Sequence, residues 1–114
     1  VDTIELVGRT LPSIIKENEV SLRDYDAINI DTQGSELMIL RSSISILSHM
    51  KYVFMEVADM NSYTGCCTLD EVNNFFESIG YKQIGLNPWN TKNKISEGNY
   101  YDALYHNEKS LHTL

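Results

Sequence analysis

Residues 28–37 read INIDTQGSEL, and this run decides the fold class. Ala27, Ile28 and Ile30 give residues 25–30 the apolar content of a strand, which ends on Asp31. Gly34 permits a tight turn, and Ser35 and Glu36 open a helix. Beyond them Leu37, Leu40, Ile44 and Leu47 recur at spacings of three or four, which places them on one helical face. Strand, turn and helix in this order are the repeating unit of an α/β sheet. In open sheets of that kind ligands sit outside the carboxyl ends of the strands, so Asp31 and Glu36 are the first candidates for catalytic chemistry. An acid there, at a strand end beside a helix start, is well placed for a hydroxyl or amine ligand. The same residues also serve plain architecture: Asp31 and Ser35 can cap the turn, and Glu36 favours the helix dipole.

Working outward, Thr3–Val7 reads as a short strand, and Thr10 can cap a helix over residues 11–17, where Pro12 sits in the tolerant first turn. Downstream, Tyr52–Val57 (YVFMEV) is a nearly continuous apolar run, as in a strand buried on both faces. Thr68 and Glu71 form a capping box ahead of an apolar stripe of Leu69, Val72, Phe75, Phe76 and Ile79, with Gly80 at the helix end. Lys82–Leu86 and Tyr101–Tyr105 are the last strands, separated by a loop over Asn87–Asn99. No helix lies between these two, so a hairpin and an antiparallel final strand are expected. The sequence thus predicts one domain over residues 1–114, with a mostly parallel Rossmann-like sheet and a mixed end.

Glu56 is an acid within an apolar strand, where a carboxylate needs a partner or a ligand to contact. Asp31, Asp59 and Asn61 are oxygen donors that could share a Mg²⁺, but three such residues arise easily in an acidic chain, and no metal site is assigned. Trp89 can stack on a flat ligand or anchor its own loop. His49, His106 and His112 lack metal-like spacing. The sequence contains no G-x-G-x-x-G, no P-loop and no G-x-S-x-G.

The formal net charge of −7 argues against nucleic acid and anionic membranes as partners. No apolar run is long enough for a membrane span, and the N-terminus lacks the pattern of a secretory signal. Cys66 and Cys67 are adjacent, a spacing that strains a disulfide, so free thiols and a cytoplasmic setting are expected. The start at Val1 points to a piece of something longer.

The run AINIDTQGSELMILRSSISIL resembles the signature of FkbM-type methyltransferases, an apolar strand leading into Ile-Asp-x-(Gln/Glu)-Gly-x-Glu-x-x-x-Leu. Ile30, Asp31, Gln33, Gly34, Glu36 and Leu40 fill those places. Arg9–Ile15 is similar to the family's Thr-Leu-Asp helix start, with Pro12 in place of Asp. YVFMEV resembles its strand ending in Glu, here Glu56. NSYTG, the capped helix and Gly80-Tyr81 follow in family order, and YDALYHN (residues 101–107) is similar to the closing strand.

The resemblance implies S-adenosylmethionine as cofactor and O-methyl transfer to a small molecule or glycan. It implies strands four to seven of a class I methyltransferase sheet, the C-terminal half, without the glycine-rich turn that holds the cofactor. No cofactor-binding residue is therefore assigned. It places Asp31, Gln33 and Glu36 on the substrate side of the cleft, with Glu56 lining it. Gln33, Glu56 and Trp89 are accordingly the expected substrate contacts. The strand over residues 25–30 would then have an open edge, and a homodimer completing the sheet is expected through it. A non-catalytic interaction module with an open edge, or a gene remnant, is the competing reading. A metal-dependent hydrolase using Asp31, Asp59 and Asn61 is the third.

Overall fold

The computed structural model describes residues 3–32, 35–59, 68–88 and 99–109, with the backbone alone for 58, 59 and 99. The elements in chain order are α1 (Leu11–Glu17), β1 (Ala27–Ile30), α2 (Glu36–Arg41), α3 (Ile44–Leu47), β2 (Tyr52–Asp59), α4 (Leu69–Ser78), β3 (Tyr81–Pro88) and β4 (Asn99–Asn107). A 3-10 turn at Leu22–Asp24 leads into β1.

Local chemistry sets most of these boundaries. The Thr10 hydroxyl accepts from the Ser13 N–H at 3.4 Å and starts α1. The expected capping box at α4 is present: the Thr68 hydroxyl accepts from the Glu71 N–H at 3.2 Å, and the Glu71 carboxylate accepts from the Thr68 N–H at 3.3 Å. Gly80 follows α4 at φ +92°, a left-handed conformation in which a Cβ would lie 2.6 Å from the Lys109 side chain. The helix expected from Leu37 to Leu47 is instead two short helices broken at Ser42 and Ser43. The Ser42 hydroxyl donates to the Ile39 carbonyl at 3.0 Å, the kind of local bond by which serine competes with continuous helix.

The sheet order is β1-β2-β4-β3. β1 and β2 are parallel, in register from Ala27 opposite Tyr52 to Ile30 opposite Met55. β4 is antiparallel to both β2 and β3, with an irregularity between Gln83 and Gly85. The expected antiparallel last strand is therefore present, but a mostly parallel sheet is not: one pairing is parallel and two are antiparallel. The cause is the connection. A hairpin from β3 reverses β4, and β4 lies between β2 and β3, so one reversed strand makes two antiparallel ladders.

Two further expectations are corrected. Thr3–Val7 forms no strand, and Ile4, Leu6 and Val7 are 77–87% exposed. Strand-like residues form a strand only when a neighbouring strand supplies the ladder. β2 is not buried on both faces. Val53, Met55 and Val57 are fully buried, whereas the intervening Phe54 is 43% exposed. The alternation is that of a strand with one face in the core.

That core joins Ile30 and the inward face of β2 to Leu37, Leu40 and Leu47 from α2 and α3, Val72 and Phe76 from α4, and Tyr105 from β4. The Phe76 and Tyr105 rings stack with centroids 4.0 Å apart. The helical layer on this one face presses against the sheet and leaves the carboxyl ends of β1 and β2 at a rim.

Candidate functional site

Asp31 and Thr32 follow β1 directly, at the carboxyl end of the sheet. Both line an open groove of about 850 Å³ that runs along β1 past Ile28 and Asn29 to Ile14 of α1 and Met38 of α2. Arg9 also borders the groove and is ion-paired with Glu17. Asp31 is exposed and borders the groove.

Glu56 stands on the neighbouring strand, one residue past Met55, which pairs with Ile30. It shares a side-chain hydrogen bond with Asp31. Directly across the next ladder lies Asp102 of β4. Burial pushes the Glu56 carboxyl above the usual glutamate range, and the Asp31 and Asp102 charges, the Asp31 hydrogen bond and the Glu36 charge push it further the same way. Four acids, one just after β1 and one each from α2, β2 and β4, thus act on one region.

Glu36 sits differently from the other three. It is 1% exposed, and its Oε2 accepts from the Thr32 N–H at 3.0 Å and from the Thr32 hydroxyl at 2.8 Å. As the first residue of α2 it also complements the helix dipole.

Of the residues expected from sequence, Asp31, Glu36 and Glu56 are therefore brought together. Gln33, Gly34, Asn61, Trp89, His112 and the Cys66–Cys67 pair lie outside the described residues, as does most of the loop expected over residues 87–99. The backbone of Asp59 ends β2. Among the described residues no group of His, Cys, Asp and Glu has the arrangement of a metal site. His49 and His106 are apart from the acids: His49 borders a separate hollow with Arg23 and Tyr25, and His106 pairs with Glu108 at 2.5 Å.

Thr32 and Asp102 are the participants that sequence reading missed. Thr32 is within INIDTQGSEL but has the look of a turn residue. Asp102 has a local signal in YDALYHN, but its place beside Glu56 follows only from the pairing of β4 with β2.

A mixed α/β sheet with a groove beside the carboxyl end of β1 is consistent with a methyltransferase-like α/β fold. The chain matches the family model for the methyltransferase FkbM domain over residues 1–82. It belongs to the FkbM methyltransferase family. The match includes β1, the INIDTQGSEL run, β2 and α4, and ends as β3 begins. No curated protein and no solved structure matches the chain. Among the described residues no helix is long and apolar enough to cross a membrane.

Proposed function

We propose that the chain acts in methyl transfer from S-adenosylmethionine to an oxygen of a small molecule or glycan, with the acceptor at the carboxyl ends of β1 and β2. The observation that carries this reading is the exposed Asp31 carboxylate at the groove, hydrogen-bonded to Glu56 of the adjacent strand. S-adenosylmethionine supplies an electrophilic methyl on a cationic sulfur. The donor set suits it: Asp31 brings a carboxylate to the rim of the groove, with the acids Glu56 and Asp102 behind it, and Ile14, Ile28 and Met38 offer apolar groove wall.

Asp31 accepts a hydrogen bond from the acceptor hydroxyl and turns an oxygen lone pair toward the methyl carbon. When the acceptor oxygen takes the methyl group in exchange for the sulfur–carbon bond, its proton would pass to the Asp31–Glu56 pair and S-adenosylhomocysteine would leave as the neutral thioether. In-line displacement depends on alignment more than on acid–base strength, so the principal role of the site is orientation. Gln33 and Trp89 are proposed as further acceptor contacts on the strength of the family resemblance. A cytoplasmic setting belongs to the same proposal and rests on the adjacent cysteines.

Calorimetric titration of the 114-residue chain with S-adenosylmethionine tests this reading. Saturable binding near one equivalent supports it. No binding at millimolar ligand overturns it for this chain.

A second reading is favoured by β1 itself. Among the described residues β1 pairs only with β2, and its other edge borders the groove. Unpaired edges take up strands from other chains, so we propose this edge as an interaction surface for a second copy of the chain. A dimer mass by light scattering at micromolar concentration supports that reading, and a monomer mass removes it.

A further inference from the structure

Glu36 does not behave like the other acids at the strand ends. A carboxylate that is 1% exposed has lost its hydration and needs strong replacement bonds. It accepts from both donors of a single residue, the Thr32 N–H and the Thr32 hydroxyl. Thr32 is the residue that immediately follows Asp31, and the Ser35 hydroxyl also reaches the Thr32 carbonyl, at 3.5 Å. The backbone after β1 is thereby tied to the first turn of α2 at the point where Asp31 leaves the strand.

α2 is itself fixed, because Leu37 and Leu40 on either side of Met38 and Ile39 are in the core. An anchored helix, a buried carboxylate and two bonds to one threonine make a rigid path from the core to Asp31. Without that path an exposed aspartate at a strand end would sample several rotamers and backbone angles.

We infer that Glu36 and Thr32 form a clasp that positions Asp31 against Glu56 and the groove, so that Glu36 is a positioning residue and does not itself touch the acceptor. The inference rests on the methyl-transfer reading for its purpose, but its geometry is independent of the cofactor. The clasp holds two like carboxyl groups together against their repulsion, which a flexible strand end would relax by letting Asp31 swing into solvent.

The test reads the side-chain carboxyl of Glu56 by carbon-detected NMR titration of the full chain, in the absence of cofactor. The titratable groups facing Glu56 are Asp31 after β1, Glu36 on α2 and Asp102 on β4. Threonine substitutions leave all of these charges in place. Thr32 is exposed, so valine fits there; Thr32→Val removes the hydroxyl bond and keeps the Thr32 N–H bond to the buried Glu36 carboxylate, and urea unfolding checks that the variant folds. The clasp then loosens and Asp31 moves away. Separating two unit charges from about 4 to about 6 Å in a solvent-like dielectric lowers the Glu56 midpoint by about 0.3 pH unit. Thr32→Ser keeps the hydroxyl and retains the parent midpoint. An unchanged Glu56 midpoint in Thr32→Val, with or without a loss of stability, overturns the inference and leaves Glu36 a purely architectural cap. Because no cofactor is present, failure here does not bear on methyl transfer, and failure of the calorimetric titration does not bear on the clasp.

Discussion

The two ends of the sheet handle polar groups in opposite ways. At the amino end of β2, the Tyr81 hydroxyl donates toward the carbonyls of Leu47 at 2.6 Å and Met50 at 3.0 Å. The Asn107 amide donates to the same two carbonyls, at 3.4 and 3.0 Å, while its own oxygen accepts from the Lys109 N–H at 3.0 Å. Donors meet acceptors there, and the buried C-terminal end of α3 is sealed onto β3 and β4. At the carboxyl end, Asp31, Glu56 and Asp102 bring like groups together, and the Glu56 carboxyl is pushed up as a result. A matched network stabilises the fold. A gathering of like charges does not, and its persistence at a groove marks the end where function is expected.

The largest effect that separates the two ends is expected from Asn107→Ala. It leaves the buried Leu47 and Met50 carbonyls with one donor fewer and frees the Lys109 N–H, at a cost of about 2 kcal/mol in urea unfolding. Tyr81→Phe is expected to cost about 1 kcal/mol, because Asn107 still serves both carbonyls. A loss below about 0.3 kcal/mol in both variants would show that the amino end is not the structural joint described.

Tyr81 also sharpens the contrast through pH. Burial pushes its hydroxyl up to about 12, with the Asn107 hydrogen bond acting in the other direction. The folded chain therefore holds this proton after the unfolded chain has released it. The corresponding stability is complete below pH ~10, the ordinary tyrosine value, and is lost as the pH rises toward 12. Unfolding midpoints measured across that window should fall for the parent and fall less for Tyr81→Phe.

At the other end, Asp31→Asn is expected to leave stability within about 0.5 kcal/mol of the parent, since Asp31 is exposed and its principal neighbours are acids. If S-adenosylmethionine binds, the same substitution should weaken it several-fold in calorimetry by removing one charge from the rim. An unaltered affinity would move the cation site away from Asp31.

Much of the local structure was legible in the sequence because its causes are local. The Thr68–Glu71 box, Gly80 beyond α4 and the strand before Asp31 each depend on residues within a turn of one another. So does the neighbourhood of Asp31 and Glu36. What escaped depends on pairing across the chain. The Tyr81 and Asn107 contacts to Leu47 and Met50 join residues 31–60 positions apart. The place of β4 between β2 and β3 cannot be read from the order of elements, and with it went both the count of antiparallel ladders and the meeting of Asp102 with Glu56. YVFMEV illustrates a different failure: Phe54 and Glu56 are apolar and acidic, yet both belong to the less buried side of β2, so composition hid the alternation. Sequence reading offers Glu36 as a catalytic acid or a helix-dipole residue, and only the structure shows that its carboxylate accepts from Thr32.

The central claim is that the carboxyl end is organised for chemistry at the expense of stability, and Glu56→Gln tests it most directly. The raised Glu56 value means that the folded chain holds this proton more tightly than the unfolded chain. Its contribution is complete below the ordinary glutamate value of ~4.3 and is lost as the pH climbs through the raised value. The glutamine variant has no proton to lose, keeps the shape and can donate to Asp31 and Asp102. Urea midpoints for parent and Glu56→Gln measured from pH 3.5 to pH 7 should show a small difference at the acid end and a higher midpoint for the variant at neutrality. A lower midpoint for Glu56→Gln at pH 7 would contradict the account and make the acid cluster part of the architecture.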